Sequence, residues 1–314
     1  MLSRVAESIY WMSRYLERAE NIARYIDVHS NLTLDTPGMA RNNWSALLRV
    51  TGEYREFTER YAEESPANII RFLAFDPSYA NSLVGSMNQA RENARSIREV
   101  ISPELWQQIN SLYHMLRTDP PDPDRSSQDL YSFFNQVKLM GLSFGGIVND
   151  TMAHTEGWQW FRAGRLIERA DKTSRILDVK YFTLLPSSED VGAPIDQIQW
   201  AGLLKSTSAQ EVYRTRYGEI SPRNIARFLI LDRDFPRSIL HCLNRADEAV
   251  RGVLGTYPNH FQNPAEQFLG QMCSELAYTT IDRIMETGLH EWVDTLQSNL
   301  NRVGLAIHEV YFSA

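Results

Sequence analysis

RYLERAENIARYIDV, residues 14–28, and RLIERADKTSRILDV, residues 165–179, are the stretches from which the fold is read. Each carries Arg, then Glu-Arg-Ala, then an acid, then Arg, then Asp-Val, in one register 151 positions apart. A second pair follows: SPANIIRFLAFD at 65–76 and SPRNIARFLILD at 221–232, offset by 156. Self-similarity on this scale is what a duplicated structural unit leaves in a sequence, with its two copies in comparable surroundings.

Around the first stretch, Val5, Ile9, Met12, Leu16, Ala19, Ala23 and Ile26 alternate four- and three-residue steps. That spacing predicts one apolar face on a helix from about residue 2 to about residue 33. Trp160, Ala163, Ile167, Ala170, Ser174 and Leu177 give the twin the same phase. Ser65-Pro66, Ser102-Pro103, Ser221-Pro222 and Asn263-Pro264 each pair a side-chain acceptor with a proline that needs no amide hydrogen, so each predicts a helix start. Asp76-Pro77 is read the same way, opening a helix to about Val100. Breaks are expected at 35–40, 118–127, 186–194 and 255–263, and strand patterns are almost absent. A long helix near 128–152 closes the first half and its counterpart near 289–312 closes the second, with Gly141-Leu142 matching Gly304-Leu305. The expected fold is all-α: an internally duplicated, pseudo-twofold helical bundle with about seven helices per half. The repeats are 1–153 and 154–314, and no linker at Asn149–Glu156 separates them, so one continuous bundle is expected.

The 314 residues are 43% hydrophobic and 23% charged, ordinary for a globular protein. A net charge of −7 argues against a general nucleic-acid or anionic-membrane binder. No apolar run is long enough to cross a bilayer. The N-terminal MLSRVAESIYWMSRYLER is charged throughout, unlike an export signal, so the cytoplasm is the expected location. Two cysteines, Cys242 and Cys273, make no disulfide framework.

The chemistry lies in the charges. Arg14, Glu17, Arg18, Asn21 and Arg24 lie opposite the apolar face, bordered by Tyr10, Trp11 and Tyr25. A helix with bulky aromatics among its charges is expected to be wrapped on most sides, and buried charges must then be paired. Arg14 can reach Glu17 at three-residue spacing. Arg24 lies about 10 Å further along the axis, so its expected partner is on the twin: Arg24 with Glu168, and Arg175 with Glu17. Two uses of Arg14, Glu17, Arg18, Arg24, Arg165, Glu168, Arg169 and Arg175 stay open. They form either an interlocking network between the repeats or a pocket holding a carboxylate or phosphate. A metal site from Glu17, Glu20, Glu168 and Asp171 would lack the Glu-x-x-His pairs of di-metal bundles and would face interleaved arginines, so no metal is expected.

Asn68, Arg71, Asn224 and Arg227 share helix faces at three-residue spacing and read as a secondary polar bracket to a neighbouring carbonyl end. Gly141-x-x-x-Gly145-Gly146 costs about 1 kcal/mol per glycine inside a helix, which points to close helix contact or, as the alternative, a channel. The loop from Asp119 to Asp124 lacks the glycine and terminal Glu of a calcium-binding hand and reads as a proline-stiffened, solvated loop. His154 and Glu156 read as helix caps, and His241 and Cys242 point apart as chain neighbours. No HExxH, CxxC, phosphate-binding loop or GxSxG is present, so neither cofactor nor catalytic residue is expected. A Glu held between arginines is a poor base near neutral pH.

YLERAENIAR and RLIERADKTSR on an all-helical chain of this length resemble the Alpha-E domain family, named for helices bearing an ER motif. The resemblance implies Glu17-Arg18 and Glu168-Arg169 as signature positions. It also implies a setting beside, or fused to, circularly permuted ATP-grasp proteins, and near transglutaminase-like peptidases and the proteasome-like Anbu protein. The expected role is therefore a non-catalytic accessory or scaffold subunit of a peptide-modifying system with an ATP-grasp amide ligase. The alternative is an enzyme or ligand-binding protein whose Arg/Glu-lined pocket between the halves takes a carboxylate- or phosphate-bearing, peptide-like substrate.

Overall fold

The computed structural model describes residues 1–35, 40–118, 120–124, 127–182, 194–258 and 260–313. Among these residues all regular structure is helical. The order is α1 (Ser3–Asp35), α2 (Ala40–Thr51), α3 (Tyr54–Arg60), α4 (Pro66–Ile70), a π-helical turn (Arg71–Phe75), α5 (Leu83–Ser96), α6 (Pro103–Thr118) and α7 (Ser127–Thr151). Then come α8 (Glu156–Phe182), α9 (Pro194–Ser206), α10 (Gln210–Tyr217), α11 (Pro222–Leu231), α12 (Ile239–Leu254), α13 (Pro264–Tyr278), α14 (Ile281–Thr287), α15 (Leu289–Ile307) and a closing π-helical turn (His308–Phe312). Seven described helices precede Ala153 and eight follow it. The additional one, α14, stands where the acidic loop joins α6 to α7. Most of the expected break at 186–194 lies outside the described residues.

Four of the expected helix starts form as read. The side chains of Ser65, Ser221 and Asn263 accept from the amides of Asn68, Asn224 and Glu266, each with proline at the first turn, and Ser102 Oγ accepts from Leu105 N. Asp76-Pro77 does not open a helix. Asp76 instead ends the π turn and accepts from the Ser78 amide, and Ser82 caps α5 six residues later. Asp232 and Ser238 repeat that arrangement before α12. The reason is competition: each aspartate accepts from the backbone amide two residues on, closing an Asx turn in place of a helix start.

α1 and α8 cross at the centre. α1 packs on α5 and α7, α8 packs on α12 and α15, α2 lies on α8, and α9 lies on α1. Surrounded in this way, α1 buries side chains all round its circumference: Ile9, Met12, Ala19, Ala23 and Ile26 on one side, and Tyr10, Glu17, Glu20, Asn21 and Arg24 on others. The crossing is set by Gly164, where any side chain would run into the Tyr10 carbonyl and the Ser13 hydroxyl. Two aromatic quartets flank the crossing at positions 156 apart. Phe57 stacks on Tyr61 at 5.2 Å with Phe72 edge-on, and Phe72 stacks on Tyr79. Tyr213 stacks on Tyr217 at 5.0 Å with Phe228 edge-on, and Phe228 lies against Phe235.

Candidate functional site

The two signature glutamates lie at the α1–α8 crossing, and each is held by the other helix. Glu17, fully buried, accepts from Arg165 Nε (2.9 Å), Arg169 Nε (2.7 Å) and Arg169 Nη2 (2.8 Å). Glu168, also fully buried, accepts from Arg14 Nε (2.8 Å), Arg18 Nε (2.7 Å) and Arg18 Nη2 (3.2 Å). The forked contacts of Arg18 and Arg169 are the bidentate geometry in which guanidinium binds carboxylate most strongly. Helical periodicity explains the choice of partners. Arg14 and Arg18, and likewise Arg165 and Arg169, stand four residues apart on one helix face, so each pair closes on the glutamate of the other helix.

A third cation completes each glutamate, from a different place in each case. Glu17 meets Arg237, from the turn before α12, at 3.3 Å. Glu168 meets Lys172 on its own helix at 3.4 Å. The matched positions hold amides: Asn21 Nδ2 donates to Glu17 Oε1, and Asn81 Oδ1 accepts from Arg18 Nη1 at 2.6 Å. Arg237 also binds Glu20, and Lys172 also binds Asp171.

The expected cross pairs of Arg24 with Glu168 and Arg175 with Glu17 do not form. Arg24 donates to Glu20 and Ser208 Oγ, and Arg175 donates to Asp171. Both lie too far along their helices from the crossing to reach over it, so each takes the acid four residues back. Nor does Arg14 pair with Glu17, since Glu168 across the seam outcompetes it. Ser208 adopts a left-handed backbone (φ 54°), and its matched position is Gly52 (φ 79°). A serine there accepts backbone strain that glycine avoids, and its hydroxyl meets a buried guanidinium.

Burial alone would raise the glutamate pKa values, but the surrounding cations win. Arg169, Arg165 and Arg237 hold Glu17 well below the usual carboxylate range, and Arg18, Lys172 and Arg14 do the same for Glu168. His29 moves for a different reason: burial lowers it to about 4, although its ring nitrogen contacts Tyr25 O at 3.0 Å. All three folded-state values lie below the unfolded ones, so each group contributes stability at high pH that is lost on acidification. For His29 the loss runs from about pH 6.5 down to about 4. For the glutamates it begins below about pH 4.3. Asp178 and Asp247, raised by burial, act in the opposite sense. The expected result is therefore differential: urea midpoints of a His29→Gln variant fall less than wild type between pH 7 and about 4, and the two chains decline in parallel below that.

On one side of the network the arginines are covered by rings. Arg14 lies 5.0 Å over Trp11 and Arg18 lies 5.3 Å over Tyr15. On the other side a cleft of about 420 Å³ opens between α7, α8 and α12. Arg162, Arg165, Arg169, Arg245 and His241 line it, and Gly145, Gly146 and Trp158 shape its walls. No carboxylate lines it, although Glu248 at the rim binds Arg245 at 2.8 Å and lies 3.9 Å from Arg162. Burial and neighbouring Arg169 lower the pKa of Arg165 more than Glu17 restores it. Gly141 and Gly145 serve close approach, as side chains there would strike Glu20 and Arg165, while Gly146 faces open space.

The other candidates separate cleanly. Arg71 reaches Asn68 and the carboxylates of Asp122 and Asp124, so its bracket is to the acidic loop and not to a carbonyl end, and that loop is docked rather than merely solvated. Arg227 forms no ion pair among the described residues, and Asn224 takes the amide end of the α11 cap. His154 contacts the Asn149 carbonyl at the end of α7, and Glu156 holds the N-terminal amine. Cys242 donates to Pro236 O, burial pushes its thiol up to about 12, and it makes no dyad with His241. Among the described residues no group of three His, Cys, Asp or Glu is arranged to hold a metal ion. None of their helices is long and apolar enough to cross a membrane.

Sequence reading missed Arg237, Ser208, Arg162 and Arg245. Arg162 carried a signal, since it lies on the face of Arg165 and Arg169 at three- and four-residue steps. Arg237 carried none, because a turn 220 residues away brings it to Glu17.

No solved structure matches the chain. Uncharacterized proteins of Mycobacterium bovis and Mycobacterium tuberculosis are 24% identical over 97% of the chain, which spans 35% of their length, about a third. The family described as a predicted α-helical domain with a conserved ER motif matches residues 1–312, and this chain carries Glu-Arg at 17–18 and 168–169. The chain belongs to the Alpha-E family.

Proposed function

We propose that this chain is a non-catalytic accessory subunit that presents an arginine cleft to a carboxylate-bearing segment of a peptide-like partner or substrate. The observation that carries this reading is the imbalance of charge at the crossing. Among the described residues, Arg14, Arg18, Arg24, Arg165, Arg169, Lys172 and Arg237 gather around Glu17, Glu20, Glu168 and Asp171, and the side of that cluster left open is the α7–α8–α12 cleft. Surplus guanidinium groups in a protein of net charge −7 favour an anion at that one place. The glutamates favour binding over catalysis, because a carboxylate clamped in its charged form takes up a proton poorly.

The system served is, on this reading, a peptide-modifying assembly built around an ATP-grasp amide ligase, with transglutaminase-like or Anbu proteins as further partners. The chain is a single continuous bundle of two related halves, 1–153 and 154–314. Support comes from the matched aromatic quartets, the matched cap pairs and the reciprocal clasp. The decisive experiment is co-purification with the ATP-grasp partner, followed by ATP-dependent amide ligation with and without this chain. Arg162→Ala/Arg245→Ala is expected to lower stimulation at least tenfold while the thermal midpoint holds, since both residues lie at the edge of the network. Ligation indifferent to the chain would end the proposal.

A further inference from the structure

A second cleft, of about 490 Å³, lies beside α11 and α14, away from the α8 arginines and independent of the reading above. Arg223, Arg227, Arg233, Asp232, Asp282 and Tyr217 are among the residues lining it. Its carboxylates are already engaged, Asp232 by Arg216 and Asp282 by Arg223. Among the described residues, Arg227 and Arg233 form no side-chain ion pair, so two guanidinium groups face the cleft uncompensated.

The matched position in the first half shows what such an arginine takes. Arg71 stands 156 residues before Arg227 in the same Ser-Pro-x-Asn-Ile-x-Arg-Phe-Leu pattern. It is filled from within the chain, by Asp122 and Asp124 of Pro120–Asp124, two carboxylates spaced two residues apart on a proline-stiffened backbone. In the second half that loop is replaced by Thr279, Thr280 and α14, whose Asp282 turns to Arg223 instead. Arg227 keeps the receptor position without its carboxylates. Prolines hold an extended segment at low entropic cost, and guanidinium paired with carboxylate supplies orientation.

We propose that the α11–α14 cleft docks an acidic Asp-x-Asp peptide segment of a partner protein, with Arg227 and Arg233 receiving its two carboxylates as Arg71 receives Asp122 and Asp124. The test is fluorescence anisotropy of the full chain with a labelled decapeptide, TDPPDPDRSS, the chain's own residues 118–127. Saturable binding is expected, weakened at least tenfold by Arg227→Ala and at least tenfold when the peptide's aspartates become asparagines. Arg162→Ala/Arg245→Ala should leave it unchanged, which separates this site from the α8 cleft. Arg227 is exposed, and its variant is expected to unfold at the wild-type temperature. Absence of saturable binding, or equal binding by Arg227→Ala, overturns the proposal. So does displacement of the peptide by an equal concentration of inorganic phosphate, which would make the cleft a phosphate site.

Discussion

Glu17→Ala is expected to destabilise the protein by about 3–5 kcal/mol, the usual cost of removing one partner from a buried ion pair. The loss is large because Arg165 and Arg169, both mostly buried, would lose the acid they share, and buried Arg237 would be left with Glu20. Arg237 cannot move out to bulk water without unpacking the turn before α12. Glu17→Gln keeps the shape and one acceptor oxygen but not the charge, so its effect should be smaller than that of alanine and still well above 1 kcal/mol. Glu168→Ala should cost less than Glu17→Ala. Arg14 and Arg18 keep the faces of Trp11 and Tyr15, and Lys172 keeps Asp171. The measurement is the urea midpoint of each variant at neutral pH and low salt. A change under about 1 kcal/mol for Glu17→Ala would mean that the clasp is solvated in solution and holds nothing together.

Gly164→Val should be still more disruptive. Overpacking a tight contact costs about 1–3 kcal/mol where side chains can give way. Here part of the obstacle is the Tyr10 carbonyl, which moves only if the helix moves. Separating α1 from α8 would also stretch four arginine–glutamate contacts of 2.7–2.9 Å at once, so the packing and electrostatic penalties are coupled. Gly164→Ala gains about 1 kcal/mol of helix propensity, which offsets part of its clash. Adding Ser13→Gly removes the hydroxyl obstacle but not the carbonyl. The expected order of stability is wild type, then Ser13→Gly/Gly164→Ala, then Gly164→Ala, then Gly164→Val, read from thermal midpoints. If valine at 164 were tolerated within 1 kcal/mol, the crossing described here would be wrong.

The architecture was legible where periodicity and capping were local. The long helices, the proline-led starts and the burial of a charged helix all follow from spacing, side-chain acceptors and aromatics set among charges. The glutamate clasp was legible as a principle, because identical charge patterns on two wrapped helices must neutralise each other. The particular pairs were not legible. Which arginine reaches over depends on where two cylinders cross, and that point is fixed by the Gly164–Ser13 contact, for which the sequence offers one glycine among sixteen. Asp76 was misread because a one-residue rule for helix starts ignores the Asx turn that the aspartate closes with the amide two residues on. The α8 cleft was half visible in Arg162. The remainder depends on α12 arriving from 80 residues away.

The amides and extra cations around the two glutamates make the two parts of the chain unlike. Asn21 and Asn81 come from residues 1–153, and Lys172 and Arg237 from 154–314. Two copies of the first part facing each other would leave each acid one counterion short, and two copies of the second would supply one too many in place of an amide. The present chain works only as an unlike couple. Severing the polypeptide between them should yield pieces that seek each other rather than themselves.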